Sequence, residues 1–243
     1  MHYRIRENSH LSTSKEDPTE ADQPPFHFGY SVYVTLEDAM DLLQQIWHQP
    51  IDPMKLEKGN RPVICLSFGN NEALNKTRHV DFDFSPTEIG TTVAMLDAQN
   101  IAVQAKITSS GDASIGYLLK IFQIRPYHEH NAGNAAMYVT ALAFLSVLRK
   151  ELYGSEANPK AIPGQRGISS TKTASKVMQW LMDHPTPVPP FGVTTYCSRC
   201  SSFVHTADEC PNTDFVCSKC LASKTKFRQE SAVTHMEGLC IYR

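Results

Sequence analysis

"CSRCSSFVHTADECPNTDFVCSKC", residues 197–220, holds five of the seven cysteines of a 243-residue chain. A cluster this dense is a disulfide staple, a thiol redox centre or a metal site, and each predicts a different fold here. Spelled out, it runs Cys197-x2-Cys200-x4-His205-x4-Cys210, then Cys217-x2-Cys220, with His235-x4-Cys240 fourteen residues further on. Six thiols and two imidazoles thus fall into two sets of the same kind and order. Zinc takes four such ligands in a tetrahedron, and a Cys-x2-Cys turn lets two thiolates reach one ion. A closed set leaves no open position for water, so it is structural rather than catalytic.

The surroundings agree. The stretch has few large apolar side chains and cannot hold itself together by burial alone. Structural zinc in comparable peptides contributes roughly 10–16 kcal/mol of apparent free energy, enough to order two small loops. Neither Cys-x2-Cys pair opens a helix after a strand, as a thioredoxin-like redox motif would. The odd cysteine count, with Cys65 inside an apolar strand, also argues against a disulfide framework. The reading is therefore two Zn²⁺ ions. Their partition stays open. Sequential sites are favoured, but Cys197, Cys200, Cys217 and Cys220 alone satisfy a zinc-ribbon spacing. His205, Cys210, His235 and Cys240 would then form a second, interleaved site.

Residues 197–240 resemble tandem CCHC zinc knuckles, as in gag-like retroelement proteins and cellular single-strand nucleic-acid-binding proteins. The first set has that spacing; the second carries the insert "LASKTKFRQESAVT" where a standard knuckle has four residues. Val204 stands where the family usually has glycine. The resemblance implies metal-held loops that grip unpaired bases. The residues suited to that task are Tyr196, Phe203, Phe215 and Phe227 for stacking, and Arg199, Lys219, Lys224, Lys226 and Arg228 for phosphates. Acids nearly cancel the charge: from residue 191 onward there are six basic against five acidic side chains. The rival reading is a zinc-stabilised protein-docking module, with those aromatics covering the metal loops.

Upstream, "HPTPVPPFG" at 184–192 reads as a stiff proline-rich linker. It would separate a 193–243 metal module from an α+β domain over 26–183, preceded by a polar, disordered tail over 1–25. "FHFGYSVYVTL" alternates like a strand, and Thr35 and Asp38 can share the capping of the helix that follows. "RPVICLSFG" and "HVDFDF" read as strands. "SPTE" at 85–88 opens a helix running to about residue 99; "IAVQAKIT" and "ASIGYLLKIFQI" are further strands. Two helices follow, one ending at Gly154 and one capped near Ser170. The resulting β-α-β-β-α-β order, with an added strand, is the ferredoxin-like arrangement. Trp47 and Trp180 fall on helical apolar stripes and are expected in the core.

RNA-recognition motifs share this order, but the open face of "HVDFDF" would present Asp81 and Asp83 to phosphate. The same pair resembles the metal-binding acids of polymerase and primase palm domains, a third functional reading with Mg²⁺-dependent nucleotidyl transfer. A solvated strand face is the simpler account. The net charge of −2 supplies no global attraction to nucleic acid. With no apolar signal segment at the start and no bilayer-length apolar run, an intracellular chain, cytoplasmic or nuclear, with no membrane partner is expected. The integrated expectation is a non-enzymatic adaptor: zinc loops on single-stranded RNA or DNA, with residues 26–183 making protein or self-assembly contacts.

Overall fold

A computed structural model describes residues 2–9, 26–69, 84–129, 131–149, 174–212 and 214–240. Its strands are β1 (His2–Ile5), β2 (Ser31–Val34), β3 (Val63–Ser67) and β4 (Thr92–Asp97). Its helices are α1 (Leu36–Trp47), α2 (Ala98–Gln104), α3 (Ile115–Ile121), α4 (Ala132–Val147), α5 (Ala174–Asp183), α6 (Ser218–Leu221) and α7 (Lys226–Glu230). The strands form two parallel pairs, β1 with β2 and β3 with β4. The chain is thus a mixed α/β domain followed by a region with two Cys/His clusters. No helix among the described residues is long and apolar enough to cross a membrane.

Two compact units divide the chain, one of residues 1–39 with 186–243 and one of residues 40–185. In the first, Val32 and Val34 are fully buried on one face of β2, as the alternating pattern requires. The strand β1 lies inside the stretch expected to be a disordered tail. Its side chains are mostly polar, and its order comes from backbone pairing and from Tyr3 stacked on Phe191, which local composition does not reveal. The proline-rich stretch is likewise tied down. Thr186 N donates to Phe28 O at 3.1 Å, and Tyr33 and Val193 exchange two backbone bonds at 2.7 and 3.0 Å. Gly192 adopts φ +89°, and a Cβ there would meet the Tyr33 carbonyl and the Val32 side chain at 3.0–3.1 Å. Only glycine suits that approach.

The helix α1 starts as the sequence requires. Asp38 N donates to Thr35 Oγ1 at 3.0 Å, and Thr35 N donates to Asp38 Oδ2 at 3.1 Å, a reciprocal capping box.

The second unit is built on α4, which packs against α2, α3 and β3. Asn131 caps α4, accepting from Gly133 N and Asn134 N at 2.9 and 3.2 Å. Two turns after the cap, Tyr138, fully buried, satisfies its hydroxyl on the backbone of Tyr127. Leu118, Leu119, Phe122 and Leu142 fill the core around it. Trp47 packs edge-on against Phe84 and donates from Nε1 to Thr92 Oγ1 at 3.2 Å.

Several elements differ from expectation. The helix predicted from Ser85 is only a 3₁₀ turn at Pro86–Glu88; the chain then enters β4. Gly90 breaks the helix, and Thr91, Thr92 and Val93 are β-branched residues that prefer a strand. The two predicted strands that follow are the helices α2 and α3. The Asp97 side chain accepts from Gln99 N and starts α2; the Ser114 side chain accepts from Tyr117 N and starts α3. Seven-residue helices carry too few turns for period 3.6 to stand out from alternation. With two parallel pairs and those strands replaced by helices, the described residues do not form a ferredoxin-like sheet. Trp180 is also exposed: α5 buries Ala174 and Met178, while Trp180 turns outward and stacks on His184 at 4.4 Å. "HVDFDF" up to Asp83, Gly154 and Ser170 lie outside the described residues.

Candidate metal centres

The first centre is a tight turn followed by a loop. Cys197 N donates to Ser202 O and Ser201 N to Cys197 O, both at 2.8 Å, so the chain doubles back between Cys197 and Cys200. Ser201 takes φ +58° to complete the reversal. The loop then returns through His205 to Cys210. The second centre is helical. Cys217 stands at the N-cap of α6, which carries Cys220 one turn on. The fourteen-residue insert is spent on α7 and a 3₁₀ turn at Ser231–Val233, which bring the chain back to His235. Cys217 N donates to Ala232 O at 2.7 Å and closes this excursion. Ala232 then packs, buried, among Cys217, Cys220 and Cys240.

Two clusters result. The ligand atoms of Cys197, Cys200, His205 and Cys210 all lie within 4.8 Å of one another, and so do those of Cys217, Cys220, His235 and Cys240. The interleaved partition is therefore not formed: His205 closes the first set and His235 the second. All seven cysteines are free thiols.

The separations test the fit to zinc. An ion about 2.3 Å from sulfur and about 2.0–2.1 Å from nitrogen puts tetrahedral ligand atoms about 3.8 Å (S to S) and about 3.6 Å (S to N) apart. Cys220 Sγ lies 3.6 Å from Cys240 Sγ and 3.6 Å from His235 Nε2; Cys200 Sγ lies 3.3 Å from His205 Nε2. These are edges of a tetrahedron, far longer than a disulfide of about 2.05 Å. Each cluster is thus arranged to coordinate one metal ion, and its three thiols and one imidazole are a zinc donor set.

The second imidazole is also oriented for the task. Thr234 Oγ1 donates to Ser231 O at 2.9 Å, so its oxygen accepts from His235 Nδ1 at 3.1 Å. That network assigns the proton to Nδ1 and leaves the Nε2 lone pair facing the sulfurs. Burial lowers the His235 pKa, favouring the neutral ring that a metal requires. Burial also pushes the Cys197 thiol up to about 11 and the Cys220 thiol up to about 12, the latter helped by the Cys240 and Cys217 sulfurs. At Cys210 desolvation again pushes upward, but hydrogen bonds to the Asn212 backbone and His205 outweigh it and bring the thiol down to about 7. Protons held this way must leave when metal binds.

The two loops are stitched together. Ser198 Oγ donates to Thr234 O at 3.0 Å, Met236 N to Ser198 O at 3.2 Å, and Ser201 Oγ approaches Met236 Sδ at 2.9 Å.

The residues suited to nucleic acid are spread around both loops. Phe203 and Phe227 are exposed, Phe215 is half-buried, and Lys219, Lys224 and Lys226 project into solvent. Lys226 pairs with Glu230 at 3.5 Å, while Arg199 and Arg228 are half-buried. Tyr196 is different: its ring is buried between Tyr33 and Phe203, so its faces serve packing rather than a base. Val204 is 87% exposed, so the side chain standing at the usual glycine position meets open solvent. Sequence reasoning missed Arg6, whose guanidinium lies 5.1 Å over the Phe203 ring. Asp81 and Asp83 lie outside the described residues.

No curated protein and no solved structure matches the chain. One family does, over a span that ends before the metal centres. Residues 1–147, more than half of the chain, match the family described as "DEDDh_C: DNA polymerase III subunit epsilon-like, C-terminal domain", and the chain belongs to that family.

Proposed function

We propose that the chain is a non-enzymatic accessory protein whose two zinc loops hold single-stranded nucleic acid. The observation that carries this reading is the pairing of exposed rings with cations on loops that a closed metal site stiffens. Phe203 neighbours Arg6, and Phe227 sits on α7 between Lys224, Lys226 and Arg228. Aromatic faces stack on any base while cations meet the backbone, with little demand for sequence. The family's name, a DNA polymerase subunit, favours DNA over RNA as the strand. In this division of labour residues 26–183 make protein or self-assembly contacts; Phe144 and Val147 of α4, both exposed, are apolar surface for them.

Metal analysis of the full chain, with titration of fluorescent single-stranded DNA and RNA at two salt concentrations, tests the reading. Two zincs per chain and salt-sensitive binding that weakens in a Lys224→Gln/Phe227→Ala variant support it. One observation favours a second reading: Val204, Val216, Leu221 and Val233 around the loops are apolar and exposed, as a protein-docking surface would be. Two zincs with no strand binding at either salt concentration would select that alternative.

A further inference from the structure

In the unit of residues 1–39 and 186–243, rings and guanidiniums from two separate stretches of chain stand in one file. The Arg4 guanidinium lies 5.8 Å from the Tyr33 ring centroid, and its Nη1 donates to the Tyr33 hydroxyl at 3.4 Å. Tyr33 is 5.8 Å from Tyr196, Tyr196 is 5.9 Å from Phe203, and Arg6 closes the file over Phe203. Strand register explains its first half. Arg4 is the cross-strand partner of Tyr33, so both lie on the face of β1–β2 opposite the buried Val32 and Val34. The second half follows from the metal turn, which sets Phe203 just beyond Cys200. Tyr196, buried, is the hinge pin between sheet and loop; Phe203 is 51% exposed, and Tyr33, Arg4 and Arg6 are half-buried.

We infer that this file is a second part of the single-strand site, running from the first metal loop onto β1–β2. In it Phe203 and Tyr33 stack unpaired bases, and Arg4 and Arg6 meet the phosphates beside them. It rests on the proposed function and adds residues that no knuckle spacing contains. Charge alone is not its basis. Glu7 follows Arg6 in sequence, and Asp38 is close enough that Arg6 adds to the Thr35 hydrogen bonds that lower its pKa. An acidic peptide would gain little from so balanced a surface. A strand of bases gains the ring faces as well, and a guanidinium plane stacks and forks to phosphate where an ammonium does not.

The test uses the full zinc-loaded chain with a labelled oligothymidylate. An Arg4→Gln/Arg6→Gln variant should keep two zincs, bind more weakly, and show a salt dependence shallower by about 1.4 in log–log slope, about 0.7 for each lost phosphate contact. Arg4→Lys/Arg6→Lys should keep the slope and still bind more weakly. The unmodified chain should also cross-link a photoreactive thymidine strand through peptides carrying Tyr33 and Phe203, a readout that needs no variant to fold. Cross-links confined to residues 215–230, or an unchanged slope in the glutamine variant, overturn the inference while leaving the proposed function standing. Absence of binding by the unmodified chain overturns both. Equal competition by a polyglutamate peptide would make this an acidic-protein site and overturn it as well.

Discussion

The two metal centres use the same four ligands in the same order and differ in what surrounds them. The first is a compact loop with Cys200 exposed and His205 half-buried; in the second all four ligands are buried. The donor chemistry cannot cause this, because it is identical. The insert causes it: α7 and the turn after it fold back so that Ala232 seals the sulfurs. Length between ligand pairs has therefore been converted into burial. The open first loop leaves two of its ligands within reach of solvent, and the sealed second one acts as a small core.

If burial separates the centres in this way, Cys220→Ser should have the largest effect. It removes a fully buried ligand from a core that has little else, out of roughly 10–16 kcal/mol of apparent metal free energy. Zinc should drop from two to one per chain, and the Cys217 amide should lose its hydrogen-exchange protection. Two zincs retained would break the comparison. Next in size is metal release to an excess of chelator, which should be biphasic with the exposed first centre emptying first. Cys200→Ser should leave only the slow phase, and a single phase in the unmodified chain would make the burial difference irrelevant to exchange.

The pH dependence is subtler. Both centres should lose zinc as pH falls, because protons compete for thiolate and imidazole. They should differ near pH 8. There Cys197, at about 11, and Cys220, at about 12, both still hold their protons, so the difference lies in Cys210, at about 7, which is already largely ionised. Loading the second centre should thus release more protons per zinc, read with an indicator in weak buffer; equal release would remove that distinction. The smallest effect is expected of Ser198→Ala. Losing the bond to Thr234 O should cost about 1 kcal/mol, keep both zincs and make the two release rates less dependent on each other.

Legibility followed the range of the chemistry. Donor identity and spacing are local, so the eight donor residues of the two clusters were readable directly. The capping box at Thr35 and Asp38 was readable for the same reason, since all its atoms lie within four residues. The partition was not, because both pairings satisfy the same local turns. Short elements failed in a consistent way. The segments of α2 and α3 read as strands, and that of β4 as helix, because about seven residues sample too little of either period. Trp180 was misplaced because a stripe shows which residues share a face but not whether anything covers that face.

By itself, the order of residues determined which side chains can ligate metal and that they make two four-ligand sets, because coordination needs only donors within reach. Tertiary structure alone decided that His205 stays with its own set and that one centre is sealed while the other is open. It also brought Arg6, at the far end of the chain, to the Phe203 ring of the first loop, and Arg4 to the Tyr33 ring of β2. Those outcomes rest on distances between residues far apart in sequence, and no local spacing encodes them.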